Sequence, residues 1–297
     1  MAWQRLRLPL WADALLGGVD VFHSPDFVLA PVRRARTLLT IHDLSFAIVP
    51  ECAEPSLRRY LDRAVPRSAH AADRIAADSQ ATADDLQRLY GVPSAKIEVI
   101  YSAADARFRP LPPDDAEVAV AGLTLPRPYV LTVGTLEPRK NLPRLVDAFD
   151  TLDIPHHLVV VGAHGWLDTE IGARLRSPNV LPLGYVTDEQ LVGLYNLADF
   201  CVCPSLYEGF GLPAVEAMAC GTPVAVADTS SLREVVGSAG LLFDPLEVDQ
   251  MAAAVHRLAM EPLLRDELAQ AGLEQSRRFS WDRSAAQLEE LYLELAG

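Results

Sequence analysis

The sequence predicts an α/β protein made of two doubly wound parallel-sheet domains, and three observations predict it. Short β-branched runs alternate with amphipathic segments from Tyr129 onward, the first hundred residues repeat that alternation with less material, and a proline-rich stretch separates the two. At 297 residues, and with roughly 150 residues to a domain, the chain is long enough for two cores.

Taken in order, "VDVFHSPDF" and "TLLTIHDLSF" read as strands that run into polar loops. "RIAADS" leads into a helix that begins near Thr82 and is closed by Gly91 and Pro93, and "IEVIYS" follows as a strand. "FRPLPPDDAEVAVAGLTLPRP" carries five prolines and no sustained periodicity, the pattern of a linker. Beyond it, "YVLTVG", "HLVVVG", "NVLPLGY", "DFCVCPS", "PVAVAD" and "GLLFDP" are near-continuous apolar runs. Helical stretches such as "NLPRLVDAFDTL", "TDEQLVGLYNLA" and "LREVVGSA" space them. Strands of that kind belong to a parallel sheet covered on both faces, which binds ligands beyond the carboxyl ends of its strands. From Val248 the tail is helical by pattern. The expected division is 1–110, 111–280, and a last helix over 281–297 that packs back on the first domain.

Composition narrows the function classes. Half of the residues are apolar, yet no run approaches the ~18 residues needed to cross a bilayer. The start lacks the basic, apolar and small-residue succession of a signal peptide, so the chain reads as cytoplasmic. A formal charge of −14 speaks against nucleic acid as a partner, because phosphate binding needs concentrated Lys and Arg. Arg5, Arg7, Arg33, Arg34 and Arg36, with Trp3 and Trp11, form a local basic exception suited to peripheral contact with an anionic membrane, or to an ordinary solvated edge. Cys52, Cys201, Cys203 and Cys220 make no C-x-x-C pair and read as buried free thiols.

The chemistry concentrates in "SLYEGFGLPAVEAMACGTPV" and "GTLEPRKN". Pro213 suits the first turn of a helix and Gly221 its C-terminal cap, predicting a helix from Leu212 to Cys220 behind the Gly209–Gly211 turn. Its free N–H groups favour an anion or a polyhydroxylated ligand. Glu208 lies before the turn and Glu216 one turn into the helix; ionised carboxylates only accept hydrogen bonds, so they suit the hydroxyls of a sugar. Arg139 and Lys140 follow the strand "YVLTVG" and bring a planar fork and a compact charge, a pair suited to a diphosphate. His42 and Asp43 end the strand of "TIHDLSF"; a histidine there is more often structural than catalytic, and His23 in "VFHSPDF" fits that plainer role.

These stretches, with "GYVTDEQLVGLYNLAD", resemble the motifs of the family 4 glycosyltransferases, in the right order over nearly the whole chain. The resemblance implies the GT-B architecture, two facing Rossmann-like domains. It implies that Glu216 holds the ribose hydroxyls of a sugar-nucleotide donor and that Glu208 meets the transferred sugar. Arg139 and Lys140 would hold the diphosphate, with Gly134 among the donor-binding residues. Backbone N–H groups of Phe210, Gly211 and Leu212 would contact the sugar, and the loop at Gly184, Tyr185 and Val186 would frame the base. His42 would lie by the reacting sugar, and Asp43 would fix the loop or the acceptor.

No Asp-x-Asp triplet occurs, so no metal and no cofactor are expected; Arg139 and Lys140 would stabilise the leaving group. The family resemblance further implies retention of configuration, by attack from the leaving-group face, with Glu208 not a nucleophile. Two departures stand out. The start, "MAWQRLRLPLWADALLGGVDVFHSP", resembles a segment downstream of the family's first strand and glycine-rich loop, predicting a truncated N-terminal domain. "YSAAD" replaces a common Asn-Gly.

The expected function is transfer of a hexose from a nucleotide sugar to a glycan or lipid-linked acceptor, in the cytoplasm or at the inner face of the cell membrane. "TIHDLSF" with "EPRKN" resembles mannosyltransferases of polysaccharide assembly, pointing to GDP-mannose. One alternative is a non-catalytic or partner-dependent sugar-nucleotide-binding subunit, and another is a GT-B epimerase or hydrolase.

Overall fold

The computed structural model describes residues 11–166 and 169–297. The chain divides into two compact units, one formed by the residues up to Ser102 together with Trp281–Gly297, the other by Ala103–Ser280.

The first unit opens with a short helix, α1 (Ala12–Leu15), and β1 (Val21–Ser24), followed by β2 (Arg36–Ile41) and α2 (Ser45–Ile48). Next come α3 (Pro55–Ala71), β3 (Arg74–Ala77), α4 (Gln80–Tyr90) and β4 (Ile97–Val99). The four strands form one parallel sheet in the order β1-β2-β3-β4. Alternation sets the two faces: Leu39, Ile41, Ile75 and Ala77 pack with Leu61, Val65 and Ala69 of α3 and Ala83 and Leu86 of α4. Ser79 caps α4 by accepting the N–H of Thr82 at 3.1 Å, and Gly91 ends it in the left-handed region at φ 65°. Helix α3 was not foreseen. Pro66 lies inside it and its buried positions, Leu61, Val65, Ser68 and Ala69, include two small residues, so its apolar stripe is thin.

The second unit begins with α5 (Pro113–Ala119), inside the stretch expected to be an irregular linker. Here the structure corrects the sequence. Pro113 starts the helix where a missing N–H costs nothing, and Ala116 and Val120 are buried. Then follow β5 (Tyr129–Val133), α6 (Leu142–Asp150), β6 (His157–Val161), α7 (Thr169–Arg174), β7 (Val180–Gly184) and α8 (Asp188–Leu197). Helix α5 lies so close to α8 that a Cβ on Gly193 would come within 2.8 Å of the Ala119 methyl. The unit continues with β8 (Phe200–Cys203), α9 (Leu212–Ala219), β9 (Val224–Ala227), α10 (Ser230–Val236), β10 (Gly240–Phe243), α11 (Val248–Met260) and α12 (Pro262–Ser276).

All six strands are parallel, in the order β10-β9-β8-β5-β6-β7. The chain runs outward from β5 to β7, returns to β8 beside β5, and runs outward the other way. Strand order therefore reverses between β5 and β8, and the loops that leave their carboxyl ends flank the point where doubly wound sheets bind ligands. Strands β8 and β9 are buried at every position, which explains their unbroken apolar runs. All four cysteines are buried and none is in a disulfide.

The last helix, α13 (Trp281–Ala296), belongs to the first unit. Its Leu291 packs on Leu38 and Ala76, the sheet face that α3 and α4 leave open. The Tyr292 hydroxyl lies 2.7 Å from Nδ1 of His23, whose Nε2 is 2.8 Å from the Thr40 hydroxyl, so His23 is a satisfied structural histidine. Among the described residues, no helix is long and apolar enough to cross a membrane.

Candidate active site

The strand β5 ends at Val133, and Gly134 crosses the adjacent strand end so closely that a Cβ on Gly162 would sit 1.9 Å from the Gly134 carbonyl oxygen. A Cβ on Gly134 itself would come within 3.0 Å of the Lys140 side chain, so glycine lets that chain lie flat across the strand end. A single 3-10 turn, Pro138–Lys140, then presents Arg139 and Lys140 together. Asn141 locks this turn. It is 2 % exposed and left-handed at φ 56°, and its side-chain amide donates to the carbonyls of Pro204 at 3.1 Å and Pro245 at 2.8 Å. One buried amide thus ties the loops after β5, β8 and β10 together.

Across the switch point, the loop after β8 carries Glu208. Lys140 Nζ donates to its Oε1 at 2.6 Å, and Arg139 Nη1 donates to its Oε2 at 2.9 Å. The same guanidinium donates to the Tyr207 carbonyl at 2.8 Å and, through Nη2, to Glu137 Oε1 at 2.6 Å. Two cations and two carboxylates therefore form one buried, balanced cluster, with Glu137 only 3 % and Glu208 11 % exposed in their side chains. Burial pushes the Glu208 carboxyl up, but Lys140, Arg139 and the Ser205 hydroxyl outweigh it and bring it down to about 2. The sequence foresaw Arg139, Lys140 and Glu208 as holders of different parts of a ligand; the structure joins them to one another. It also adds Glu137, which stands in the quoted motif without a role.

Helix α9 opens at Gly211, whose φ of 103° and a Cβ that would fall 2.7 Å from Leu232 both require glycine. Leu212 and Pro213 form its first turn, where N–H groups lack intrahelical partners. Phe210 is buried, its ring edge-on to Phe279 at 5.2 Å between centroids. Glu216, one turn along, accepts from the Tyr195 hydroxyl at 2.9 Å. Burial raises the Glu216 carboxyl, partly offset by that hydroxyl. Tyr195 is a partner that the sequence did not disclose, since it comes from the inner face of α8. At the end of β7, Gly184 turns the chain at φ 70°, Tyr185 projects at 78 % exposure and Val186 turns inward.

In the first unit, His42 follows β2 and Asp78 follows β3, and the register Ile41↔Ala77 makes them neighbours. His42 Nδ1 lies 2.9 Å from Asp78 Oδ2, and Nε2 lies 3.0 Å from the Pro25 carbonyl. Both partners only accept hydrogen bonds, so both contacts can be made at once only with the ring protonated, and the pair favours the imidazolium. The Asp78 hydrogen bond accordingly raises its pKa, against an opposing effect of burial. Asp43 accepts from the N–H and hydroxyl of Ser45, both at 2.9 Å, and fixes the turn into α2. Trp3, Arg5 and Arg7 of the basic segment lie outside the described residues. Trp11, Arg33, Arg34 and Arg36 are exposed, and Arg36 pairs with Asp73 at 3.0 Å.

Comparisons with known proteins bear on the family and the fold. Residues 114–275 match the family described as Glycosyl transferases group 1, and residues 1–108 match Glycosyltransferase Family 4. The O-antigen chain mannosyltransferase B of Escherichia coli is 34 % identical over 90 % of this chain and 72 % of its own. The serotype-specific mannosyltransferase WbdA of Escherichia coli is 29 % identical, with this chain spanning only 32 % of its length. Sucrose-phosphate synthase from Thermosynechococcus elongatus superposes with a TM-score of 0.75 at 27 % identity, over 89 % of this chain and 68 % of that one. Anabaena HepE in complex with UDP-glucose superposes with a TM-score of 0.76 at 22 % identity, over 88 % and 72 %. With its two Rossmann-like sheets, and family matches that run from its first residue to 275, the chain belongs to the family 4 glycosyltransferases and has the GT-B fold.

Proposed function

We propose that this glycosyltransferase moves a hexose, mannose, from GDP-mannose to a glycan or lipid-linked acceptor, with retention of configuration and without a metal ion. The observation that carries the reading is the cluster of Arg139, Lys140 and Glu208 at the strand-order reversal. The mannosyl donor and the glycan acceptor are suggested by the likeness to the O-antigen chain mannosyltransferase B. A diphosphate approaching Arg139 and Lys140 competes with the Glu208 carboxylate for the same donors. Once displaced, Glu208 accepts from hydroxyls of the sugar, while Glu216 takes the ribose diol and the backbone N–H groups of Phe210, Gly211 and Leu212 face the sugar. Gly184, Tyr185 and Val186 frame the base. As the bond from the anomeric carbon to the diphosphate oxygen breaks, negative charge grows between two fixed cations. The acceptor oxygen bonds to the same face of that carbon, and its proton passes to the departing phosphate. His42, as an imidazolium, and Asp43 serve the sugar and acceptor side. The protein works in the cytoplasm, with peripheral contact at the inner face of the membrane through its basic loop.

Calorimetric titration with GDP, UDP, ADP and their hexose conjugates tests the reading. One base should bind, and Arg139→Ala should weaken it by about 10- to 100-fold, the value of one or two charge-assisted hydrogen bonds. Glu216→Ala should weaken nucleotide binding as well, and transfer should persist in a chelator. Absence of binding by the folded wild-type chain, or unchanged affinity in both variants, overturns the assignment.

A further inference from the structure

The turn Leu206–Gly211 bears Glu208 yet contains no regular secondary structure, so its backbone groups must find partners elsewhere. They find them in three consecutive hydroxyls of "ADTSSLREVV". The Glu208 N–H donates to Ser230 Oγ at 2.8 Å. The Ser231 hydroxyl, fully buried, shares its one proton between the carbonyls of Glu208 at 2.9 Å and Phe210 at 2.8 Å. Thr229 Oγ1 donates to the Leu206 carbonyl at 3.2 Å. The first residues of α10 therefore grip the backbone on both sides of the Glu208 Cα. Further supports include the Leu206 N–H donating to the Arg139 carbonyl at 2.9 Å, the Arg139 guanidinium donating to the Tyr207 carbonyl at 2.8 Å, and Phe279 packed on Phe210.

Ser230 holds its place at a cost. Its φ is 45°, left-handed, and it is one of only three non-glycine residues with positive φ among the described residues. Glycine or asparagine would take that conformation more easily. Non-glycine strain of this sort persists where the surroundings over-determine it, and it collects at functional sites. What serine offers here, and glycine does not, is the oxygen that receives the Glu208 N–H.

We infer that Ser230 is a positioning residue for glycosyl transfer: through its hydroxyl, and with Ser231 beside it, it fixes the backbone from which Glu208 reaches the donor sugar. This rests on the role of Glu208 proposed above. A carboxylate that must leave two cations and meet sugar hydroxyls gains from a backbone that stays fixed while its side chain moves.

Two substitutions separate positioning from support. Ser230→Gly removes the hydroxyl and relieves the strained φ, whereas Ser230→Ala removes the hydroxyl and keeps the strain, so their thermal stabilities should differ while both lose the same hydrogen bond. Positioning predicts that kcat falls by about tenfold in both, the effect of one hydrogen bond, while nucleoside-diphosphate affinity stays within about threefold of wild type. A structural role predicts instead that activity follows stability, with the glycine variant close to wild type, and that result overturns the inference. Amide hydrogen exchange of residues 206–211 gives a reading that needs no turnover. Faster exchange in Ser230→Gly than in wild type, with α9 unchanged, is expected; equal exchange overturns the inference. Failure of wild-type chain to bind any nucleotide would fall on the proposed donor site instead, and the exchange measurement would still decide the hydroxyl's part.

Discussion

Glu208 is bonded to Arg139 and Lys140, the two cations that a diphosphate would need, so under the proposed function its carboxylate competes with the donor for them. Removing its charge should therefore have opposite effects on two measurements. Glu208→Gln is expected to bind nucleoside diphosphate at least as tightly as wild type while kcat drops by about 100-fold, as for a lost interaction with the reacting sugar. The cluster also sets a pH dependence. The folded carboxyl lies at about 2, below the ordinary value of 4.5, so its stabilising effect is complete above 4.5 and is lost as pH falls through 2. Thermal midpoints of wild type and Glu208→Gln should converge between about pH 4.5 and about pH 2. His42 runs the other way: Asp78 raises its pKa, so the imidazolium persists above the ordinary 6.5 and its stabilising effect disappears as pH rises through the folded value. Asp78→Asn should lower the His42 titration, followed by NMR, back towards the ordinary value. The sequence singled out Arg139, Lys140, Glu208 and His42, because their types and spacing carry chemistry, but not Glu137 or Asp78, which the structure pairs with them. It did not disclose their pairings, since Arg139 and Glu208 are 69 positions apart and Asp78 joins His42 only through strand register.

Between elements, the loops after β5, β8 and β10 are held by Asn141, whose amide donors meet two carbonyls far apart in sequence. Asn141→Asp replaces those donors by acceptors, and denaturant unfolding should show a loss of about 1–3 kcal/mol, the effect of stranding buried polar groups. The alternation of apolar runs made the strands of the second sheet legible, most plainly β8 and β9, because strands buried on both faces carry their signal in composition alone. Helices α3 and α5 were harder to see. The first hides a thin apolar stripe around Pro66, and the second packs by Ala116 and Val120 in a segment whose prolines suggest a linker. Proline can end a helix or begin one, and only the packing partner, here α8 with its Gly193, decides.

On the scale of the molecule, the reversal of strand order between β5 and β8 explains why two unremarkable loops became a site: any two loops leaving that pair of strands meet. Order alone could not be read from the chain, since runs of apolar residues do not say which neighbours they choose. The division into units has a separate effect on folding. Helix α13 covers Leu38 and Ala76 and reaches His23 through Tyr292, so a chain ended after Ser280 should keep a cooperative unfolding transition for the second unit and lose that of the first, measured by hydrogen exchange. On the ribosome, the first sheet emerges before the second unit, with one apolar face bare, and its cover emerges only after the whole second unit has done so. The domain begun first is thus the one finished last, and while the second unit is being made its bare sheet face is what a chaperone would have to shield.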